Sequence, residues 1–233
     1  ASVSGRASFV ARANYAYRGK YLLEATARYD GSPNFPKNKR WGFFPSISAG
    51  WRMSEETFIK NNLTWIDNLK LRAGVSQTGF DSVGAFQYLT GYKFEGYNVL
   101  GGKEVPGLTT TGIANTNISW ETMTLYNVGL DLSVLNSKLY SEIDVFYRKR
   151  DDMLGTRVVS LPNTFGATLP SENINSQSTR GFEVLIGHRG NFGDFSYDIS
   201  GNVSWSRSKW IHYDEPDYTD PDDTFKEKIR SMD

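Results

Sequence analysis

Glu142 and Asp144 stand two residues apart, a spacing that puts both carboxylates on one face of an extended strand, where a pair could serve as acid and base toward a glycosidic bond. Regular alternation makes such pairs common. No G-x-S-x-G, P-loop, G-x-G-x-x-G or H-E-x-x-H pattern accompanies them. An enzyme is not expected, and no catalytic or cofactor-binding residue is assigned. The acidic run from Asp214 to Asp223 carries the carboxylates that calcium favours. It lacks the alternating ligands, central Gly and terminal Glu of an EF-hand loop, and reads as a solvated loop. The histidines, His188 and His212, and the absence of cysteine leave no basis for a zinc site; His188 falls near a turn in the apolar phase, an interfacial position. The remaining chemistry is aromatic. Between Gly79 and Ser119 lie Phe80, Phe86, Tyr88, Tyr92, Phe94 and Tyr97, separated by glycines. Exposed rings can stack on sugars at a binding mouth, which makes Tyr88, Tyr92, Phe94 and Tyr97 the candidate substrate contacts. The competing expectation, which the length of the segment favours, is that these rings pack the loop onto its neighbours.

The composition narrows what can position such residues. The 233 residues carry 26 Lys+Arg against 26 Asp+Glu, so no basic excess exists to neutralise phosphates, and no nucleic-acid partner is expected. A hydrophobic content of 39% with balanced charge argues against disorder. Mean hydropathy is −0.48. No stretch approaches the roughly 18 to 20 apolar residues of a membrane helix, but barrel strands cross with about 9 to 11 alternating ones.

Alternation is what the chain shows. Phe9, Ala11, Ala13, Tyr15 and Tyr17 interleave with Ser8, Arg12 and Asn14. After the turn at Gly19, Tyr21, Leu23, Ala25, Ala27 and Tyr29 interleave with Glu24, Thr26, Arg28 and Asp30. Period two recurs around Ile47 to Trp51, Leu69 to Val75, Tyr126 to Leu132, Leu139 to Tyr147, Phe182 to Ile186 and Phe195 to Trp205, giving about eight strands. Tight turns near Gly19, Leu135 to Lys138 and Gly190 to Gly193 alternate with long connections at Gly31 to Arg40, Gly79 to Ser119 and Arg150 to Ser178. One short-side connection, Met53 to Asp67, is longer, and Ser54-Glu55-Glu56 predicts a capped helical turn there. Tyr15, Tyr17, Tyr21, Trp51, Phe195 and Tyr197 sit at the short-turn ends; Tyr29, Trp41, Phe43, Tyr147 and Trp205 sit at the long-loop ends. Sorted loops and two aromatic girdles around an aliphatic band predict an all-β, antiparallel transmembrane barrel segment. Exchanging the faces would put Arg12, Arg28 and Arg72 in lipid at roughly 2 to 4 kcal/mol each, so the polar face must be wet. Arg12 and Glu24 are placed to pair across it. The alternative is a soluble, secreted, β-rich carbohydrate-binding module, which the aromatic and glycine content would also suit.

The wording of the strands adds a resemblance. Asn14-Tyr15-Ala16-Tyr17-Arg18-Gly19-Lys20-Tyr21, Arg28-Tyr29-Asp30-Gly31-Ser32 and Arg40-Trp41-Gly42-Phe43-Phe44-Pro45-Ser46 through Trp51-Arg52 are similar to blocks of the SusC/RagA-like TonB-dependent outer-membrane transporters. Trp65-Ile66-Asp67-Asn68-Leu69-Lys70-Leu71-Arg72-Ala73, Asn127-Val128-Gly129-Leu130-Asp131, Tyr147-Arg148-Lys149-Arg150-Asp151-Asp152 and Arg180-Gly181-Phe182-Glu183 continue the series in the family's order. The resemblance implies a barrel of about 22 strands, a plug opened by the TonB complex, a SusD-like surface lipoprotein as partner, and import of glycan oligosaccharides or peptides across the outer membrane of a Gram-negative cell. On that reading residues 1–233 are one partial barrel domain, an internal fragment without plug, TonB box or signal peptide. Its other partners would be outer-membrane lipid and the substrate.

Overall fold

The computed structural model describes residues 5–110, 112–157 and 169–214. The strands are β1 (Ala7–Tyr17), β2 (Tyr21–Gly31), β3 (Trp41–Arg52), β4 (Ile66–Phe80), β5 (Tyr92–Leu100), β6 (Lys103–Thr110), β7 (Glu121–Val134), β8 (Leu139–Thr156), β9 (Ser171–Phe192) and β10 (Phe195–His212). Eight of them form one sheet in the order β1-β2-β3-β4-β7-β8-β9-β10, and β5-β6 form a separate hairpin. Every pairing is antiparallel, and each strand of the large sheet pairs with the next one in that order. The sheet is a wall, with no second layer packed on either face among the described residues.

Register explains why the wall has two unlike faces. One row runs Ala49, Ala73, Val128, Val145, Phe182, Trp205 across successive strands. The neighbouring row runs Gly50, Arg72, Gly129, Asp144, Glu183, Ser204. The side-chain period of two makes the first row uniformly apolar and the second uniformly small or charged. Val128, Val145 and Val203 are 53%, 56% and 66% exposed, although they belong to the most apolar rows. Apolar surface of that extent left uncovered by protein needs an apolar environment outside the wall. A soluble module would have to cover it, and this sheet does not.

The girdles form by cross-strand stacking. Tyr17, Tyr21 and Trp51 stack in sequence at the short-turn end, with successive ring centroids 6.4 Å apart. Phe9 and Tyr29 flank Trp41 at the long-loop end, at 6.0 and 4.9 Å, and Phe182 stacks on Trp205 at 6.0 Å. His188 stacks on Tyr197 at 5.7 Å in the outward phase. Each tight turn solves its backbone problem with positive φ: Arg18 and Gly19 in the first, and Leu135, Asn136 and Ser137 in succession in the second. That second turn is strained for non-glycine residues. It is held by the Ser137 amide donating to the Asp67 carboxylate at 2.7 Å and the Leu135 amide donating to the Trp65 carbonyl at 3.1 Å.

Two expectations change. Met53 to Asp67 contains a 3-10 turn at Met53–Glu55 followed by α1 (Thr57–Asn62), and neither has a side-chain cap at its start. Glu56 stands at the N-terminal boundary of α1 but points elsewhere, as described below. The segment between Gly79 and Ser119 is no simple loop either, because it carries the β5-β6 hairpin. The acidic run from Glu215 onward lies outside the described residues. Asp214, which is inside them, uses its backbone amide to donate to the Asn175 side chain at 2.9 Å.

Candidate functional site

The inward face carries an ion network. Arg72 on β4 donates from Nε to Asp131 of β7 at 2.8 Å and from Nη2 to Asp144 of β8 at 2.9 Å, so one guanidinium bridges three strands. It reaches Asp144 only because Gly129 lies between them, opposite both in register. A Cβ on Gly129 would stand 2.5 Å from Asp144 Oδ1 and 2.7 Å from Arg72 Cζ. The fork therefore occupies space that glycine vacates. Lys70 approaches the other oxygen of Asp131 at 4.0 Å. Asp144 is thus engaged by Arg72 and does not act with Glu142 as an isolated pair. Arg12 and Glu24 come within 3.9 Å, with both side chains largely exposed. Of these groups Glu24, Lys70 and Arg72 line a groove of ≈ 590 Å³ along β1 to β4, together with Asn14, Ser48 and Asn127.

At the long-loop end the connections fold onto one another. Phe35 and Ile118 are fully buried, and Trp120 packs against Phe35 at 5.1 Å and edge-on to Phe44 at 5.3 Å. Trp120 also donates from its indole to the Arg40 carbonyl at 3.2 Å. Asn173 gives Nδ2 to the carbonyls of Ser119 and Asp152, at 2.9 and 2.7 Å, and accepts the Ser119 amide on Oδ1 at 2.9 Å. One amide side chain clamps three segments. Beside it lies a polar cavity of ≈ 620 Å³ whose lining includes Lys39, Asn117, Arg157 and Glu172. The sequence pattern does not single these residues out. Their only local signal was the Asn115-Thr116-Asn117 run, which is also a common turn composition.

The aromatic candidates divide. Tyr88 is half-buried and its hydroxyl reaches the Pro33 carbonyl at 3.5 Å, so it belongs to the packed mouth. Tyr92, Phe94 and Tyr97 are 65%, 78% and 73% exposed on β5. The ladder slips between Phe94 and Tyr97, where Gly96 has φ +72°. That bulge keeps the three rings in one phase, because Phe94 pairs with Leu108 and Tyr97 with Pro106, residues two apart on β6. The result is a ribbon with an aromatic face turned to solvent, not the internal packing that the loop length favoured. Its base is fastened by the Asn115 amide donating to the Gln87 carbonyl at 2.9 Å.

At the opposite end Glu56 ties the short turns together. Its Oε1 accepts from the Tyr21 hydroxyl at 2.8 Å and the Trp51 indole at 3.2 Å, and its Oε2 from Lys20 at 2.8 Å. Donation from Lys20, then from Tyr21 and Trp51, holds the carboxyl down at about 2. Glu55 is lowered as well, first by its hydrogen bond from Lys60.

Residues 2–228 match the family described as TonB dependent receptor-like, beta-barrel. The chain belongs to that family. It is 34% identical over 220 residues to the TonB-dependent receptor SusC of Bacteroides thetaiotaomicron, covering 91% of this chain and 22% of the relative. It is also 34% identical over 212 residues to TonB-dependent receptor P3 of Formosa agariphila, covering 90% of this chain and 21% of that protein. The fold is similar to that in "Structure of the RagAB peptide transporter", with a TM-score of 0.78 and 23% identity over 93% of this chain and 24% of the other. The chain therefore spans about a fifth of the length of the relatives it matches. As part of the wall of a TonB-dependent receptor-like β-barrel it lies in the outer membrane. Its tight turns, with Glu56 and α1, then face the periplasm, and its long loops face outward from the cell.

Proposed function

We propose that the protein containing this chain imports nutrients across the outer membrane in a TonB-dependent manner, with this chain supplying part of the barrel wall and mouth. The observation that carries the reading is the joining of a charged, wet inward wall to an aromatic ribbon and a polar cavity at the extracellular end. Exposed rings at Tyr92, Phe94 and Tyr97 suit the apolar faces of sugars or the side chains of a peptide. Lys39, Asn117, Arg157 and Glu172 suit hydroxyls, amides or charged termini. A SusD-like lipoprotein covering the mouth is the partner this reading requires. The relatives support it: one is SusC, and a similar fold occurs in a peptide transporter.

The test uses the whole transporter in its own outer membrane. The triple replacement Tyr92→Ala, Phe94→Ala, Tyr97→Ala is expected to leave barrel assembly unchanged and to lower uptake of the native glycan or peptide. Undiminished uptake would remove the ribbon from the mechanism. Uptake that persists after the proton gradient is collapsed would remove TonB-coupled import itself.

A further inference from the structure

The outward face carries a basic groove where an apolar band should simply end. From Phe192 to Phe182 the outward row of β9 consists of Phe192, Gly190, His188, Ile186, Val184 and Phe182. At roughly 3.3 Å per residue and a tilt near 40°, that row rises about 25 Å, the height of a barrel's apolar band. The next outward position on β9 is Arg180, and it pairs directly with Arg207 of β10 and with Tyr147 of β8. The position beyond is Ser178, paired with Lys209 and Lys149. Tyr147, Ser178, Arg180, Arg207 and Lys209 line one cavity of ≈ 370 Å³. It lies just outside the stacked Phe182 and Trp205 of the extracellular girdle.

Like charges directly opposite one another on a ladder repel. Several other cations of the wall meet carboxylates, as Arg72 meets Asp131 and Asp144 and Arg150 meets Glu121 at 2.8 Å. Lys149 has Asp151 at 2.9 Å. Arg180 and Arg207 have no ion pair among the described residues, and they face each other at the depth where lipid head groups begin. Two guanidiniums on directly paired residues that line one cavity suit a phosphate, since each fork can take separate oxygens. The adjoining girdle rings would lie against the first carbons of the acyl chains.

We propose that Arg180 and Arg207, with Lys209 at the rim, bind the phosphorylated head group of an outer-leaflet lipid. The site faces away from the lumen and depends on the outer-membrane placement, not on what is imported, so it can fail while the import reading stands.

The experiment takes the whole transporter in detergent and measures retained lipid by native mass spectrometry after exchange with lipid A, dephosphorylated lipid A or inorganic phosphate. Each basic residue near a membrane surface contributes about a fivefold preference for anionic lipid. The Arg180→Ser, Arg207→Ser variant is therefore expected to lose roughly 25-fold in its preference for the phosphorylated over the dephosphorylated form. Arg180→Lys, Arg207→Lys should retain most of it, and Lys138→Ser, which removes a single charge at a periplasmic turn, should retain all of it. If the double serine variant fails to assemble, Arg207→Gln carries the comparison with an expected loss of about fivefold. Equal retention by wild type and variants overturns the proposal. Displacement of lipid A by millimolar inorganic phosphate overturns the lipid as the occupant.

Discussion

Replacing Gly129 by alanine sets two effects of opposite sign against each other. Glycine inside a strand costs roughly 0.5 to 1 kcal/mol relative to alanine through lost chain entropy, so the change ought to stabilise the wall. The added Cβ, however, would stand 2.5 Å from Asp144 Oδ1 and 2.7 Å from Arg72 Cζ. Both atoms end flexible side chains, so the backbone need not move. The cost is the contact itself: the 2.9 Å bond between Arg72 and Asp144 must open. A hydrogen bond between charged groups is worth about 1.5 to 3 kcal/mol when shielded. The side chains of Arg72 and Asp144 are 33% and 20% exposed, and partial solvation trims the figure to about 1.5 to 2 kcal/mol. The net expectation is a loss of about 1 kcal/mol, the opposite sign from the propensity effect alone. The assay is reversible unfolding of the whole barrel in urea with lipid vesicles, followed by tryptophan fluorescence, in a cycle with Arg72→Ser. With Arg72 removed, Asp144 is free to turn aside, and Gly129→Ala should then gain about 0.5 to 1 kcal/mol. A gain in both backgrounds would refute the claim that Gly129 exists to let the fork through. A loss of equal size in both would place the damage elsewhere than in the Arg72 to Asp144 contact.

Glu56 gives a pH prediction. Its carboxyl is held at about 2 in the fold against an ordinary 4.5, so its stabilising contribution is complete above 4.5 and drains away as pH falls toward 2. Glu56→Gln should lower the urea midpoint at pH 7 and flatten its dependence between those limits; an unchanged acid profile would show that the carboxylate is solvated instead of tied to Lys20, Tyr21 and Trp51. Gly187→Ala places a Cβ 2.2 Å from Cζ of Tyr140, and the ring must leave together with its 2.7 Å bond to Asp198. A loss of about 1 to 3 kcal/mol in the same unfolding assay is expected, whereas a stabilised variant would mean the ring has another resting place. Phe35→Ala empties the fully buried position beneath Trp120, and removal of a buried Phe costs about 3 to 5 kcal/mol. Because that core belongs to the mouth, the loss should appear as protease cleavage of the long loops with little change in the wall; global unfolding would contradict this separation.

The wall was legible because one period governs it. A strand whose alternate residues meet lipid and water has no freedom to blur its pattern, so Tyr21 to Tyr29 or Leu69 to Val75 announce both element and face. Loop sorting added the direction across the membrane. The mouth was not legible, because its contacts join residues far apart in the chain by single hydrogen bonds. Asn173 meets Ser119 and Asp152, and Lys39 donates to the Asn117 carbonyl at 2.8 Å. Nothing in an isolated asparagine says which carbonyl it will find. The β5-β6 hairpin does have a local signal: Gly101-Gly102, both with positive φ, joins two alternating runs. The role of Glu56 is hidden in the sequence for a different reason. Ser54-Glu55-Glu56 reads locally as the start of a helical turn, but the Glu56 carboxylate takes the donors of Lys20, Tyr21 and Trp51, two of them far away in the chain.

The same residues also explain why glycines are threaded through the strands of so regular a wall. Gly181 lies opposite Phe146, Gly187 opposite Tyr140 and Gly190 opposite Tyr197, and in each case a Cβ would come within 2.8 Å of the facing side chain. Gly31 stands in the same relation to Trp41 at 2.9 Å. A ring that can lie down over the neighbouring strand recovers its packing area from backbone, which a single-layer wall cannot supply from a second sheet. On the inward side this has a consequence for transport. Arg72, Tyr140 and Phe146 are long side chains, yet each is laid along the sheet by the glycine beside it, so the charge and aromatic surface lines the lumen without filling it. Substituting those glycines would raise the side chains into the path of whatever the barrel encloses, and so couple a change in strand packing to a change in passage.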